Sequence, residues 1–326
     1  MSGQGGLTLS PALVPSRWPL VRRRQDPWDE AALITHEFTL LAKNKLSRQQ
    51  IDSALTTEAG RALILHLLDT DGILMAQCDW TPEESSEKIL EFVGRVGIVN
   101  EHNAGGSAVW DVHPMKDGVG NKTKARSHTD SEFAMHTDCS FEDKPPRFMV
   151  LYTQKADGLG GGLSKFVDCK MLRRCLKPSS LEVLKSSTFT MRVPEEFRKE
   201  ADSIRGPILV ESEDSGDAQW RYRGETTLRG EGYTTPAMDN ALNELDALLS
   251  DDRLHLTARM PTGALLVLDN TRWLHGRTTV LDPERHLKRV RFHPLEGAEC
   301  AFVEGRPRPL SHIHTPRKIS SASSSP

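Results

Sequence analysis

Residues 132–148 read EFAMHTDCSFEDKPPRF and contain a closely spaced pair of metal-ligand types, His136 and Asp138. Side chains at positions i and i+2 of a strand point to one face, about 6.6 Å apart along it, so one cation can lie between them. A second His-x-Asp pair, His128 and Asp130, stands eight residues earlier, so the spacing alone is not decisive. This stretch therefore predicts a metal site only if a third ligand comes from elsewhere in the chain.

His275 is the strongest candidate for that third ligand. It follows the apolar run 263–268, which has the length and composition of a buried strand. Two neutral imidazoles and one carboxylate on one face of an octahedral ion suit non-haem Fe(II) and leave three coordination positions open. Oxygen chemistry needs open positions, so the sequence predicts an iron centre at His136, Asp138 and His275.

Arginines after His275 predict a site for the far carboxylate of a keto acid that chelates the iron. Arg285 and Arg289 lie ten and fourteen residues after His275, and in a strand both face the same way as Arg291. The fixed fork of a guanidinium suits a carboxylate, and the hydroxyl of Ser164 can share the anion. The choice between Arg285 and Arg289 stays open, with Arg285 favoured because it heads the segment RHLKR.

Four segments together resemble the Fe(II)/2-oxoglutarate dioxygenases of the taurine dioxygenase superfamily, nearest to its γ-butyrobetaine hydroxylase and clavaminate synthase side. The segments are EFAMHTDCSFEDKPPRF at 132–148, GGGLSKFVD at 160–168, DNTRWLHGRT at 269–278 and RHLKR at 285–289. The resemblance spans roughly residues 72–294. The gap of 139 residues between His136 and His275 suits this group, whose core carries a long insertion before the second histidine.

The resemblance implies a fold and a ligand set. The fold is α+β, with a double-stranded β-helix (jelly-roll) core flanked by helices. Iron is expected at His136, Asp138 and His275. Ser164 and Arg285 match the threonine and arginine with which the family holds the 2-oxoglutarate 5-carboxylate, although serine replaces threonine here.

The resemblance also implies a reaction. With Fe(II), 2-oxoglutarate and O2, such an enzyme oxidises an aliphatic C–H bond by hydroxylation, desaturation or cyclisation, and releases succinate and CO2. The expected substrate is a small molecule that carries a carboxylate or an amine, and specialised metabolism is one setting for it. Asn103 and Arg291 are the candidate substrate contacts. The alternative function is a non-catalytic jelly-roll protein that binds a metal or a small acid.

The pattern of the remaining chain predicts one domain. Helices are expected at 47–68, from Thr81 to Gly94 or Gly97, and at 236–250, with short strands between them. We predict a flexible N-terminal segment at 1–27, a single jelly-roll dioxygenase domain at 28–312 and a disordered serine-rich tail at 313–326.

Composition limits the partners and the compartment. The 326 residues include 42 Lys and Arg against 45 Asp and Glu, a formal charge of −3, so no chain-wide basic field favours nucleic acid or an anionic membrane. Five cysteines without a CxxC pair argue against a disulfide framework. We therefore expect a small-molecule partner and the cytoplasm, with the mitochondrion as the alternative because the first residues are rich in arginine. The oligomeric state is left open, a homo-oligomer included.

Overall fold

A computed structural model of the protein describes residues 44–100, 107–115, 125–198, 201–211 and 218–295. The helices in these ranges are α1 Arg48–Thr56, α2 Glu58–Thr70, α3 Pro82–Val96, α4 Cys169–Cys175, α5 Pro178–Ser186 and α6 Pro236–Leu249. The strands are β1 Lys45–Leu46, β2 Ile73–Gln77, β3 Gly97–Asn100, β4 Trp110–Val112, β5 Phe133–His136, β6 Phe148–Lys155, β7 Ser164–Asp168, β8 Phe189–Arg192, β9 Ser203–Gly206, β10 Leu209–Glu211, β11 Ala218–Trp220, β12 Leu256–Ala258, β13 Ala264–Asp269, β14 Trp273–Arg277 and β15 His286–Pro294.

Two sheets pack face to face and form the jelly roll. The major sheet has the order β1-β2-β13-β6-β15-β3, with β4 also pairing with β15, and the minor sheet has the order β12-β7-β14-β5. Met149 and Leu266 of the major sheet share one buried cluster with Phe166 and Trp273 of the minor sheet. The space between the sheets is therefore the interior of the jelly roll, and side chains on the facing sides of both sheets point into it.

Helices cover the outer face of each sheet. On the major sheet, α1, α2 and α3 bury Ile51, Ile64 and Phe92 in a cluster that includes Val290 and Phe292 of β15. The helices α4, α5 and α6 pack in the same way against the minor sheet. Because side chains alternate along a strand, Arg289 and Arg291 of β15 point into the interior, away from the helices.

Most predicted elements are confirmed, but the helix expected at 47–68 is broken. Thr57 adopts an extended conformation that ends α1, and its hydroxyl accepts a hydrogen bond from the Gly60 N–H at the start of α2. A Cβ at Gly60 would lie 2.5 Å from backbone atoms of Ser53, so the two helices meet in a corner that admits only glycine there. The apolar spacing continues across this corner, and for that reason the pattern did not show it.

The start and end of α3 agree with the prediction. Thr81 and Glu84 form the expected capping box, and Gly97 rather than Gly94 ends the helix. The late helix is α6, Pro236–Leu249. The predicted terminal segments 1–27 and 313–326, and the candidate substrate contact Asn103, lie outside the described residues. Within the described ranges no helix is both long and apolar enough to cross a membrane.

Candidate metal centre

The three predicted ligands converge in the interior of the jelly roll. His136 ends β5, and His275 in β14 lies directly opposite it in the antiparallel pair. One ligand atom from each histidine and one from Asp138 all lie within 4.8 Å of one another, and the three side chains are buried. This spacing allows a single ion to reach all three side chains.

The strand β5 ends at His136, so Asp138 reaches the centre from the turn that follows. The prediction that both side chains lie at positions i and i+2 of one extended strand is therefore wrong for Asp138. The fully buried side chain of Asn270 holds the turn at two points. Its Oδ1 accepts from the Asp138 N–H at 2.8 Å, and its Nδ2 donates to the Asp138 carbonyl at 3.0 Å and to the Pro146 carbonyl at 2.8 Å. Asn270 therefore fixes the position of the carboxylate ligand from the loop that leads into β14.

The donor atoms are in the state that a divalent cation requires. The Nδ1–H of His136 donates to the Ala134 carbonyl at 2.9 Å, and its buried Nε2, 3.4 Å from Asp138 Oδ1, makes no hydrogen bond with any described residue. Burial lowers the pKa of His136, and it lowers the pKa of His275 to about 3. Burial alone would raise the pKa of Asp138, but the Arg289 guanidinium and then His136 hold it well below its ordinary value. Two neutral imidazoles and a carboxylate thus fit a metal such as Fe(II).

The three candidate arginines of the β15 region have different surroundings. Arg289 Nη1 donates to Asp138 Oδ1 at 3.1 Å, so this guanidinium lies against the metal-ligand carboxylate. Arg291 lies farther along the strand, 3.9 Å from Glu142. Arg285 is buried and forms no ion pair with any described residue, and burial lowers its pKa to about 10, so it remains charged at neutral pH. Of the three, Arg285 has the surroundings that most need an anion.

Ser164 and Arg277 lie at the same end of the interior as Arg285. Ser164 begins β7 and pairs with Arg277 of β14, one row along from the Phe166–His275 pair. The pKa of Arg277 is lowered to about 10 by burial and then by the nearby charge of Arg285. A Cβ at Gly162 would lie 2.6 Å from Arg285 Nε, which explains a glycine there. We call Ser164, Arg277 and Arg285 the clamp end.

A cavity opens beside Asp138. It is lined by Arg126, Ser127, Phe133, Asp138, Cys139, Phe141, Phe197, Arg223, Arg289 and Arg291. Among the residues that the structure describes, neither Ser164 nor Arg285 lines it. The cavity therefore offers a second compartment beside the metal ligands, with a basic and aromatic wall.

The second His-x-Asp pair does not join the metal ligands. His128 Nε2 contacts the Asp111 carbonyl at 2.8 Å, and its ring stacks on Trp110 with 5.1 Å between centroids. The prediction that this segment is a loop before the metal strand agrees with its place in a short 3-10 helix, Arg126–His128.

Asn270, Arg126 and Arg223 are site residues that the sequence did not predict. Only Asn270 stood in a quoted motif, and no local pattern marks the two arginines.

Comparison with known proteins places the chain in a family. A sequence profile described as "Taurine catabolism dioxygenase TauD, TfdA family" matches residues 41–291, more than three quarters of the chain. The protein belongs to the TauD/TfdA family. The matched range holds all three metal-ligand candidates and the clamp end. No curated protein sequence matches the chain.

Solved structures of similar fold agree with this family. Asparagine oxygenase in complex with Fe(II), hydroxyasparagine and succinate aligns with TM-score 0.61 and 17% identity, over 77% of this chain and 93% of that chain. The non-haem iron oxygenase OrfP, with Fe and α-ketoglutaric acid, aligns with TM-score 0.58 and 15% identity, over 82% and 92%. A taurine dioxygenase from Burkholderia xenovorans aligns with TM-score 0.55 and 14% identity, over 73% and 83%.

These findings confirm the broad predictions. The taurine dioxygenase superfamily, the α+β jelly-roll fold and the dioxygenase function are confirmed, and so are Fe(II) and 2-oxoglutarate as cofactors, all at the level of the TauD/TfdA family. The asparagine oxygenase and OrfP structures hold hydroxyasparagine and hydroxy-L-arginine, and for this chain a small-molecule substrate stays a prediction. The residue-level assignments, the domain boundaries and the identity of the substrate stay predictions.

Proposed function

We propose that this TauD/TfdA protein oxidises an aliphatic C–H bond of a small molecule with iron held by His136, Asp138 and His275. The observation that carries the proposal is the convergence of three buried ligand atoms within 4.8 Å, two neutral imidazoles and one ionised carboxylate. When bound there, Fe(II) with 2-oxoglutarate and O2 supplies the oxidising chemistry, and succinate and CO2 are the products.

We assign the 5-carboxylate of 2-oxoglutarate to Arg285 and Ser164. Arg285 is a buried cation without an ion pair among the described residues, and Ser164 lies one row along the minor sheet from the His275 row. Two positions along a strand span about 6.6 Å, which is a suitable reach for a five-carbon diacid whose other end lies at the metal. Arg277 adds positive charge at this end, while its own N–H groups donate to the carbonyls of residues 129–131.

Arg289 then has a different role from Arg285. Its guanidinium holds the pKa of Asp138 down and hydrogen bonds to its carboxylate, so it orients the ligand and keeps it ionised. The same side chain lines the cavity, together with Arg291. We therefore place the substrate in the cavity and the co-substrate at the clamp end. Arg291 remains the proposed substrate contact from β15.

The test begins with metal-free protein. Anaerobic Fe(II) should bind at one site per chain, and 2-oxoglutarate should then produce a visible charge-transfer band. Exposure to O2 should release succinate. His136→Ala should lose metal binding and succinate release, while Lys88→Ala on the outer helix α3 should keep both. Binding without succinate release in the unmodified protein would favour the non-catalytic alternative, and full turnover by His136→Ala would refute the site.

A further inference from the structure

The cavity wall contains an arginine that no strand motif marks. Arg223 lies between β11 and α6, and its backbone forms an isolated antiparallel bridge with His136. The neighbouring Thr137 N–H donates to the Tyr222 carbonyl at 2.7 Å. These backbone contacts fix Arg223 directly beside the turn that carries the metal ligands.

The side chain of Arg223 lines the cavity and is 11% exposed. Its guanidinium carbon lies 5.0 Å from the centroid of the Phe133 ring, which stacks on the His136 imidazole at 3.9 Å. Its Nη2 donates to Glu225 Oε2 at 2.9 Å, but no residue that the structure describes accepts a hydrogen bond from its buried Nε. A buried N–H without an acceptor costs free energy, so this atom is poised for an acceptor that enters the cavity.

Among the described residues, the charged groups around Arg223 carry more positive than negative charge. Glu225 is shared, because its Oε1 also lies 3.0 Å from Arg126 Nε. One carboxylate thus faces two guanidinium groups, while Asp138 already pairs with Arg289. An additional anion at Arg223 would balance this excess, and the low dielectric of the cavity would strengthen the interaction.

We propose that Arg223 binds an anionic group of the primary substrate, so that the substrate is a small carboxylic acid whose carboxylate lies at the Arg223 side of the cavity. This rests on the proposed function. A guanidinium fork and a carboxylate form strong, directional hydrogen bonds, and the adjacent Phe133 ring covers the contact from one side. The contact would determine specificity, because an uncharged amide of the same shape would leave the positive excess unbalanced.

The experiment uses full-length protein loaded with Co(II) and saturated with 2-oxoglutarate, which keeps the metal paramagnetic and prevents turnover. Paramagnetic broadening of proton NMR signals reports binding near the metal for three acid and amide pairs: acetate and acetamide, propionate and propionamide, butyrate and butyramide. We expect at least one acid to bind about tenfold more tightly than its amide, the effect of one charge-assisted hydrogen bond. Methanesulfonate, run beside propionate, separates a carboxylate site from a general oxyanion site.

Variants attribute the preference to one residue. Arg223→Gln should lose the preference for the acid, Arg223→Lys should keep most of it, and Arg48→Gln on the outer helix α1 should match the unmodified protein. Equal binding of acids and amides, stronger binding of methanesulfonate, or an unchanged preference in Arg223→Gln would overturn the proposal. Binding of Co(II) and of 2-oxoglutarate is measured in the same samples. Its absence would refute the proposed function, whereas its presence without an acid preference would refute only the role of Arg223.

Discussion

The clamp end and the cavity both lie near the predicted metal ligands, and they are built differently. Ser164 and Arg277 face each other from paired strands, and Arg285 immediately precedes β15. The cavity wall takes three residues from β5 and β15, but its other residues come from 3-10 helices, from turns and from the segment before α6, with Arg126 and Arg223 almost one hundred residues apart. The site assigned to the co-substrate thus rests mainly on paired strands, whereas irregular segments form most of the wall of the site assigned to the substrate. Such loops change most readily between relatives.

The largest effect is expected at Asp138, the predicted metal ligand that also lines the cavity. Asp138→Ala removes the only carboxylate of the proposed ligand set and also leaves Arg289 as a buried cation without its partner. Metal affinity should fall by more than about 100-fold, since changes to residues behind the ligands already cost roughly 10–100-fold. Calorimetric titration with Fe(II) or Co(II) measures this. Near-normal affinity would mean that Asp138 is not a ligand.

The next effect separates the clamp end from the cavity. Arg285→Gln should raise the KM for 2-oxoglutarate by about 100-fold, because a buried bidentate contact to a carboxylate is lost, and it should leave metal affinity unchanged. Arg291→Gln is the matched control from the cavity side and should leave this KM within about twofold of the original. If Arg289→Gln raised the KM for 2-oxoglutarate while Arg285→Gln did not, the assignment of the two arginines would be reversed.

A smaller effect is expected at Asn270, which connects the β13–β14 turn to the turn of Asp138. Asn270→Ala should weaken metal binding by roughly 10–100-fold, because the ligand loses both contacts that position it. Thr271→Val, which removes only a hydroxyl bonded to Asp269, is the neighbouring control. Metal affinity and melting temperature are measured for both variants. A lower melting temperature with unchanged metal affinity in Asn270→Ala would make Asn270 a purely structural residue.

The smallest effect concerns the loops behind the clamp end. The Asp157 carboxylate accepts four backbone N–H groups, from Leu159, Gly161, Leu281 and Asp282. Burial opposes its ionisation, but these donors prevail and lower its pKa below the ordinary value. The stability it contributes is therefore present above pH 4 and is lost as the pH falls through the lowered pKa.

Asp157→Asn should cost about 1–3 kcal/mol in the free energy of unfolding at neutral pH and raise the KM for 2-oxoglutarate a fewfold. The difference in stability between the two proteins should shrink as the pH is lowered from 5 to 2, which denaturant unfolding can follow. A difference that is constant with pH would show that the charge of Asp157 does not matter.

The site residues that lie in compact sequence motifs could be predicted from the sequence. His136, Asp138 and His275 are predicted as a set. The pairing of β5 with β14 places the two histidines opposite each other, and the turn after β5 brings Asp138 to them. Ser164 and Arg285 stand in short motifs beside paired strands. For the residues in strands, alternation predicts which side chains share a face, whereas Asp138 lies in a turn that this pattern does not describe.

The cavity could not be predicted in the same way. Arg223 reaches the metal ligands through a single backbone bridge in an irregular segment, and Asn270 acts through contacts with a turn 132 positions away. Neither contact leaves a period or a spacing in the sequence. The break at Thr57 was missed for a related reason, because apolar residues continue on both sides of it. Contacts made by turns depend on the completed fold.

The most direct measurement is a crystal structure of the protein grown anaerobically with Fe(II) and 2-oxoglutarate, with anomalous data collected at the iron edge. We predict one anomalous peak within bonding distance of His136, Asp138 and His275, and the far carboxylate of 2-oxoglutarate on Arg285 and Ser164. Iron at any other cluster, or the carboxylate on Arg289 with Arg285 unoccupied, would contradict this account.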